Sequence, residues 1–216
     1  MNYLILDIET IPNVNVEAEA QSAKIEAPAN YKDETKIAQY IEQKRSEVVD
    51  SIIKQASLSR VYGQIVCIGT ITVIDNKIHK NVLSGSEHTI LSTLSAVIKE
   101  YRPMFITYNG ADFDIPFINF RSRLLFGEPI IPVENRYSDI HIDLYQEVAG
   151  YRPPAGVLSH GLKAVSEALG FEKTDDLDGS WVYAMWQAGK IDEIEKHCLI
   201  DCERTYYIAK KLGYLE

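Results

Sequence analysis

Two carboxylates stand two positions apart near the amino terminus, in the stretch LILDIETIP, which runs from Leu4 to Pro12. If this stretch is a β-strand, Asp7 and Glu9 point to the same side, because side chains alternate with a period of two. Like charges side by side on a strand repel each other. Alone, the pair is expected at a solvated strand end; with further acids nearby, it would favour a cation-binding site.

Two more acids occur where a predicted strand gives way to a predicted helix. The stretch ITYNGADFDIPFI leaves the strand at Tyr108 and Asn109 and enters the helix near Asp114. Asp112 and Asp114 lie at this junction, where a carboxylate commonly caps the helix that follows. We therefore expect at least one of the two to be a helix cap.

The carboxy-terminal stretch KIDEIEKHCLIDCERTYYIAKKL supplies a further acid, Asp201, and a histidine, His197. On a helix these two side chains project from the same side, roughly 5–6 Å apart at Cβ. Beside them runs a stripe of apolar or small residues that is expected to face the core. The stripe comprises Ile191, Ile194, Cys198, Cys202, Thr205, Ala209 and Leu212. The spacing of Cys198 and Cys202 could hold a metal ion, but both are interpreted as small core residues.

The elements that must position these residues alternate along the chain. Residues 2–7 are predicted as a strand, and RVYGQIVCIGTITVID and KIHKNVLSG as a hairpin joined by DNK. A helix from Glu87 to Tyr101, the strand MFITYN, the helix DIPFINFRSRLLF and the strand-to-helix passage SDIHIDLYQ follow. SHGLKAVSEALG is predicted as a helix with Ser159 as a candidate cap, and the last forty residues as helical with a break at Gly189. This order predicts an α/β fold in which helices flank a mixed β-sheet.

The stretch from Asn13 to Ser57 differs from the rest of the chain, because it is polar and lacks glycine. Its apolar residues recur at helical spacing, and Asp33 is a candidate cap for the helix. These apolar residues are Ile37, Tyr40, Ile41, Val48, Ile52 and Ile53. We therefore predict a single domain over residues 1–216, with 13–57 as a polar helical insertion after the first strand.

Length and composition narrow the class of protein. The chain has 216 residues, of which 46% are hydrophobic and 25% charged, as is typical of one globular domain. No apolar run reaches the ~18 residues of a membrane helix, and the first residues lack the basic start of a signal peptide. Cys67, Cys198 and Cys202 form no disulfide framework, so a cytoplasmic location is expected. The net charge of −9 argues against broad electrostatic adhesion to nucleic acid, but not against an enzyme whose carboxylates bind cations.

Taken together, three stretches resemble the motifs of the DEDD superfamily of 3′–5′ exonucleases, which share an RNase H-like fold. LDIETIP is similar to the first motif, Asp-x-Glu, and NGADFD to the second, Asn-x3-(Phe/Tyr)-Asp. HCLID is similar to the third motif, a Tyr or His shortly before an Asp. The chain more specifically resembles the exonucleases related to the proofreading domain of family B DNA polymerases. Its polar insertion, RVYGQIVCIGTI, HIDLYQ and LDGSWVYAMWQAGKIDEIEKHCLID extend that resemblance over nearly the whole chain.

The third motif departs from the family pattern at one position. The branch with tyrosine uses Tyr-x3-Asp, whereas the branch with histidine usually uses His-x4-Asp. Here three residues separate His197 from the motif's Asp201, so the histidine has the tyrosine's spacing. Two alternatives therefore stay open: either His197 aligns the attacking water, or the metal ion acts on the water alone.

The resemblance implies a site for two divalent cations, held roughly 3.5–4 Å apart by carboxylates. Oxygen ligands favour Mg²⁺ or Mn²⁺ over zinc. One ion would activate a water toward the terminal phosphodiester and the other would stabilise the leaving 3′ oxygen, releasing 5′-nucleotides. The implied metal ligands are Asp7, Glu9, Asp114 and Asp201; the implied catalytic residues are these four and His197; and the implied substrate contacts are Thr10, Ile11 and Asn109. No organic cofactor and no membrane are implied.

Two other functions stay open from the sequence. The chain could be a ribonuclease with the same two-metal chemistry, because discrimination between DNA and RNA depends on contacts at the 2′ position. It could also be a nucleic-acid-binding member of the family with weak catalysis. We favour a single-stranded DNA 3′ end as substrate. The sequence contains no polymerase region, so proofreading would require a separate polymerase or repair partner.

Overall fold

The computed structural model describes residues 1–13, 15–133, 138–150, 160–172, 177 and 179–215. The chain forms two compact units. The larger combines Met1–Glu9 with Ile65–Glu216, and the smaller is Thr10–Gln64. That residues 1–216 act as one domain stays a prediction.

Within the described residues, five strands form one sheet, in the order β3-β2-β1-β4-β5. Their bounds are Tyr3–Pro12 for β1, Gly63–Ile74 for β2, Lys77–Ser84 for β3, Met104–Thr107 for β4 and His141–Asp143 for β5. β4 pairs in parallel with β1 and with β5, whereas β2 and β3 are antiparallel. Helices of the larger unit flank this sheet, so the predicted α/β fold with a mixed sheet is confirmed.

The first strand is longer than predicted, and this changes the setting of its two acids. β1 continues to Pro12, so Asp7 and Glu9 lie within the strand rather than at its end. The pairing of β1 with β4 stops at Ile5 and Ile106. Asp7 therefore lies just beyond the paired region, at the carboxyl end of the parallel strands, where ligand sites of α/β sheets commonly form.

The helices are α1 Val16–Gln21, α2 Glu34–Ser57, α3 Glu87–Tyr101, α4 Asp114–Phe126, α5 Leu144–Ala149, α6 Leu162–Ala168, α7 Val182–Gln187 and α8 Ile191–Lys211, with a 3₁₀ turn at Gly179–Trp181. α3 and α4 have the predicted bounds, and Gly189, with φ of +72°, separates α7 from α8. Ser159 lies outside the described residues. The N-cap residue of α4 is Phe113, which makes no side-chain cap hydrogen bond, so neither Asp112 nor Asp114 occupies the N-cap position.

Local sequence explains two of the connections. The hairpin between β2 and β3 turns at Asp75 and Asn76, which both have positive φ, of 49° and 62°. Asp and Asn tolerate this conformation, which the twist of a two-residue hairpin requires. In the smaller unit, the Asp33 carboxylate accepts from the backbone N–H groups of Thr35 and Lys36. The predicted cap of α2 is therefore confirmed.

None of the helices within the described residues has both the length and the apolar character needed to cross a membrane. In the smaller unit, α2 packs against α1 and buries only Val49 and Ala56 fully. Its remaining apolar side chains are partly covered, as expected for an amphipathic surface helix.

The two faces of the sheet bury alternate residues of β1. Leu4 and Leu6 belong to the core that also contains side chains of α3 and α4. Ile5 belongs to a second core, formed with α5 and α8. Asp7 and Glu9 have the same parity as Ile5, so they point to the face that α8 covers.

α8 buries most of its predicted stripe. The buried members are Ile194, Cys198, Cys202, Thr205 and Ala209. Leu212 is 42% exposed because it follows the last helical residue, so its predicted core position is wrong. Ile208 is buried instead.

Gly69 in β2 allows the sheet to approach α8 closely. A Cβ atom at this position would lie 2.8 Å from the carbonyl oxygen of Cys198 and 2.8 Å from Sγ of Cys202. The Gly69 N–H also donates to Sγ of Cys198 at 3.0 Å. The lack of a side chain at Gly69 therefore sets how closely α8 packs against the sheet, and with it the positions of His197 and Asp201.

We expect Gly69→Ala to lower the free energy of unfolding by about 1–3 kcal/mol, because the added methyl group overpacks the contact with α8. Urea denaturation followed by circular dichroism measures the change. Gly179→Ala is the matched control, since a Cβ there would meet no atom within 4 Å. Equal stability of the two variants would contradict the tight contact between β2 and α8.

Candidate active site

Four carboxylates from three elements converge beside β1. Asp7 and Glu9 come from the strand, Asp114 from the first residue of α4 and Asp201 from α8. The Asp114 Oδ1 atom accepts a hydrogen bond of 3.1 Å from the backbone N–H of Ile8, the residue between Asp7 and Glu9. This bond fixes the second motif directly against the first.

The position of Asp114 follows from how the chain enters α4. Asp114 is only 4% exposed, whereas Asp112 is exposed. Phe113 packs against the core of α3 and α4, which turns the following carboxylate toward β1. Of the two acids at this junction, Asp114 is therefore the one that joins the cluster.

His197 lies between two of the carboxylates. Its Nε2 atom is 3.7 Å from Oε1 of Glu9 and 3.8 Å from Oδ2 of Asp201. Both distances are longer than a hydrogen bond but within the range of an ion pair. The imidazole is buried, at 5% exposure, so α8 holds it against the sheet.

Burial and neighbouring charges shift the pKa values of two acids in the cluster. Burial raises the pKa of Asp7 well above its usual range, and the neighbouring charges of Asp114, Asp201 and Glu9 raise it further. Burial also raises the pKa of Asp114 to about 7, although hydrogen bonds from its own backbone and from Ile8 oppose this shift. Without a cation, the interior therefore disfavours full ionisation of the four acids.

A thiol borders the cluster as well. The Cys198 Sγ–H lies 3.4 Å from the carbonyl oxygen of Asp7 and 3.7 Å from its Oδ2 atom. Ligand atoms of Asp7, Glu9 and Cys198 lie within 4.8 Å of one another. Burial raises the pKa of this thiol. The other donors here are carboxylate oxygens, which fit a hard divalent ion such as Mg²⁺ or Mn²⁺.

Asn109 lies in the turn between β4 and α4. Asp143, which the sequence reasoning missed, holds this turn in place. The Asp143 carboxylate accepts from the N–H groups of Asn109 at 2.7 Å, Ala111 at 3.0 Å and Tyr145 at 3.1 Å. Asn109 has a φ of +65°, and the N–H of Gly110 donates to a side chain of β4. Asp143 thereby orients the turn that delivers Asp114.

The sequence stretch HIDLYQ already contained a sign that Asp143 lies near the site. An acid at the end of a third parallel strand lies at the same edge of the sheet as Asp7. Recognising it required the strand order, which the sequence pattern did not specify. Arg204 was also missed; its Nη1 atom donates to Oδ1 of Asp201 at 2.5 Å.

Thr10 and Ile11 belong to the smaller unit. Both are buried, and the Thr10 hydroxyl donates to the carbonyl oxygen of Ser57 at 2.7 Å. Their contact with substrate, like that of Asn109, stays a prediction.

Comparison with known proteins identifies the family. A family model described as the RNase_H superfamily matches residues 55–213. This match covers most of the chain, which therefore belongs to the RNase H superfamily.

Similar proteins include DNA polymerases of archaea. DNA polymerase 1 of Sulfolobus acidocaldarius is 46% identical over 68 residues, which are 28% of this chain and 8% of that protein. A DNA polymerase of Archaeoglobus fulgidus is 26% identical over 160 residues, 66% of this chain and 20% of that protein. This chain thus spans a fifth or less of the length of these two relatives.

The fold is similar to that of a solved family B DNA polymerase from Pyrobaculum calidifontis. The TM-score is 0.65 at 20% identity, over 98% of this chain and 24% of that chain. The resemblance to this group, first indicated by three short motifs, is confirmed. The family match and these relatives support a nuclease function in general.

We expect Asp114→Asn to weaken the pH dependence of stability in metal-free buffer. The folded-state pKa of Asp114 is raised to about 7 from 3.8. Its contribution to stability is therefore fully present below about pH 4 and is lost as the pH rises through about 7. Asparagine cannot ionise, so the fall in the free energy of unfolding over this range should shrink in the variant.

Urea unfolding with EDTA at a series of pH values measures this fall. Asp112→Asn is the matched control, because it makes the same substitution at an exposed carboxylate. If both variants keep the wild-type slope, Asp114 is not the buried, titrating acid.

Proposed function

We propose that this chain is a metal-dependent 3′–5′ exonuclease that hydrolyses the terminal phosphodiester of single-stranded nucleic acid, with DNA as the favoured substrate, and releases 5′-nucleotides. The observation that carries the proposal is the convergence of Asp7, Glu9, Asp114 and Asp201 on one face of the sheet. His197 stands between two of these acids. Glu9 and Asp114 are buried and Asp7 and Asp201 half-buried, and no structural need explains so many like charges together, because each loses solvation energy and repels the others.

In the proposed mechanism the four acids hold two divalent ions, Mg²⁺ or Mn²⁺. Bound there, the ions would supply Lewis acidity that favours ionisation of the attacking water and stabilises the leaving 3′ oxygen. Asp7 and Glu9 provide a rigid edge because both belong to one strand. Asp114 is oriented by the N–H of Ile8, which leaves its second carboxylate oxygen for a cation.

His197 is the candidate proton acceptor. Its Nε2 atom faces Glu9 and Asp201, so a water held between these acids would lie within reach of the ring. A histidine can change its protonation state near neutral pH, as a general base requires. The carboxylates on either side would stabilise the imidazolium that forms.

Asn109, Thr10 and Ile11 are the proposed contacts to the terminal nucleotide. Asn109 is held in its turn by Asp143, so its side chain would be presented in a fixed orientation. A ribonuclease of the same chemistry is the alternative, and a polymerase or repair enzyme on a separate chain is the proposed partner.

Incubation with 5′-labelled single-stranded DNA or RNA, in Mg²⁺, Mn²⁺ or EDTA, tests the function. The proposal expects a ladder that shortens from the 3′ end of DNA only when metal is present. Shortening of RNA alone would assign the alternative substrate, and internal cuts would exclude an exonuclease. Binding without cleavage would indicate a member of the family with weak catalysis.

We expect Asp7→Ala to abolish turnover while the protein stays folded. Without metal the variant should be at least as stable as wild type, because one of four repelling charges is gone. Saturating Mn²⁺ should raise the melting temperature of wild type by roughly 5–10 °C at one hundred times Kd. Asp7→Ala should show little of this gain, whereas Asp112→Ala should show all of it. Equal metal-induced stabilisation of wild type and Asp7→Ala would show that the site assignment is wrong.

We expect His197→Ala to lose about 10²–10⁴-fold in kcat, the usual contribution of general-base assistance, with unchanged affinity for Mn²⁺. His197→Tyr restores the residue that the family commonly has at this spacing and should recover much of the activity. The acid limb of the wild-type pH–rate profile should shift or disappear in the tyrosine variant. Activity of His197→Ala within a few-fold of wild type would make His197 a packing residue.

A further inference from the structure

Arg204 is a buried cation directly beneath the acidic cluster. It lies on α8, one turn after Asp201, and is only 2% exposed. Its Nη1 atom donates to Oδ1 of Asp201 at 2.5 Å. A fully buried guanidinium is uncommon, since charged side chains lose solvation energy in the interior.

The other two nitrogen atoms of the Arg204 guanidinium are not satisfied by hydrogen bonds within the described residues. Within the described part of the chain, Nε and Nη2 of Arg204 are buried and have no hydrogen-bond partner. An arginine kept for stability would usually have its donors satisfied, because buried unpaired donors are costly. The observation therefore points to a role for its charge at Asp201.

The two oxygens of Asp201 face different partners. Oδ1 is held by Arg204, whereas Oδ2 lies 3.8 Å from Nε2 of His197, on the side of Glu9. The charge of Asp201 also contributes to the raised pKa of Asp7, which shows that this carboxylate lies within electrostatic reach of the cluster. Arg204 thus leaves a single oxygen of Asp201 for the reaction centre.

We propose that Arg204 is a positioning residue that orients Asp201 as a one-oxygen ligand and keeps the cation on this side of the cluster weakly held. This inference rests on the proposed metal-dependent function. A positive charge next to a ligand opposes the binding of a divalent ion. Weak binding at this position suits an ion that arrives and leaves with the substrate, while Asp7, Glu9 and Asp114 keep the other ion.

Removing the charge should have two opposite effects. In Arg204→Met, a neutral side chain of similar length, the weaker Mn²⁺ site should bind roughly tenfold more tightly. Turnover at saturating Mn²⁺ should nevertheless fall at least tenfold, because Asp201 is free to rotate or to bind through both oxygens. A residue with a merely structural role would not strengthen metal binding when it is removed.

Titration of the apoprotein with Mn²⁺, followed by the electron paramagnetic resonance signal of free Mn²⁺, measures the number and affinity of bound ions without any turnover. Lys80→Met is the matched control, because it removes a positive charge paired with Glu203, the neighbour of Arg204, at the surface. The control should bind Mn²⁺ like wild type. If Arg204→Met does not fold, Arg204→Gln also removes the charge and keeps a donor for Asp201, and the same tightening is expected.

Unchanged or weaker Mn²⁺ binding in the folded arginine variant overturns this inference and leaves the proposed function intact. Tightening of similar size in Lys80→Met overturns it too, because the effect would then be one of net charge. If wild type binds no Mn²⁺ and Asp7→Ala does not change this result, the proposed function and this inference are both overturned.

Discussion

The hydrogen bond from the Ile8 N–H to Asp114 is the contact on which the candidate site depends. It joins the first strand to the first turn of α4, and it places a third carboxylate beside Asp7 and Glu9. Like charges at such close range oppose folding unless the surrounding structure fixes them. The carboxylate of Asp143 contributes to that by holding the turn before α4, so the repulsion is resisted by a scaffold of backbone hydrogen bonds.

Close packing supplies the remaining side of the site. Gly69 lets β2 approach α8 so closely that the Cys198 sulfur accepts a hydrogen bond from the strand and lies against Asp7. Burial at this contact raises the pKa of the thiol. The same packing that stabilises α8 therefore places a thiol beside the carboxylate cluster.

The chain shares its fold with a segment of much longer DNA polymerases, and α8 departs from the family's third motif at one position. His197 occupies the spacing at which the family commonly has tyrosine, and Arg204 pairs with the acid of the same motif. Both residues lie near Asp201, one at each carboxylate oxygen. One fold can carry different side chains at its site, so the fold by itself does not fix the chemistry.

Local sequence determined the elements whose signals are local. The bounds of α3 and α4, the Asp75–Asn76 turn and the Asp33 cap follow from caps, turn residues and periodicity, and three short motifs indicated the family. The tertiary structure decided what depends on residues distant in the chain: the extension of β1 past its acids, the exposure of Asp112 against the burial of Asp114, and the partners of Asp143 and Arg204. The physical reason is that a carboxylate has the same local signature whether it caps a helix, faces solvent or joins a cluster. Only the packing of strands and helices around it sets its neighbours, and with them its charge and chemistry.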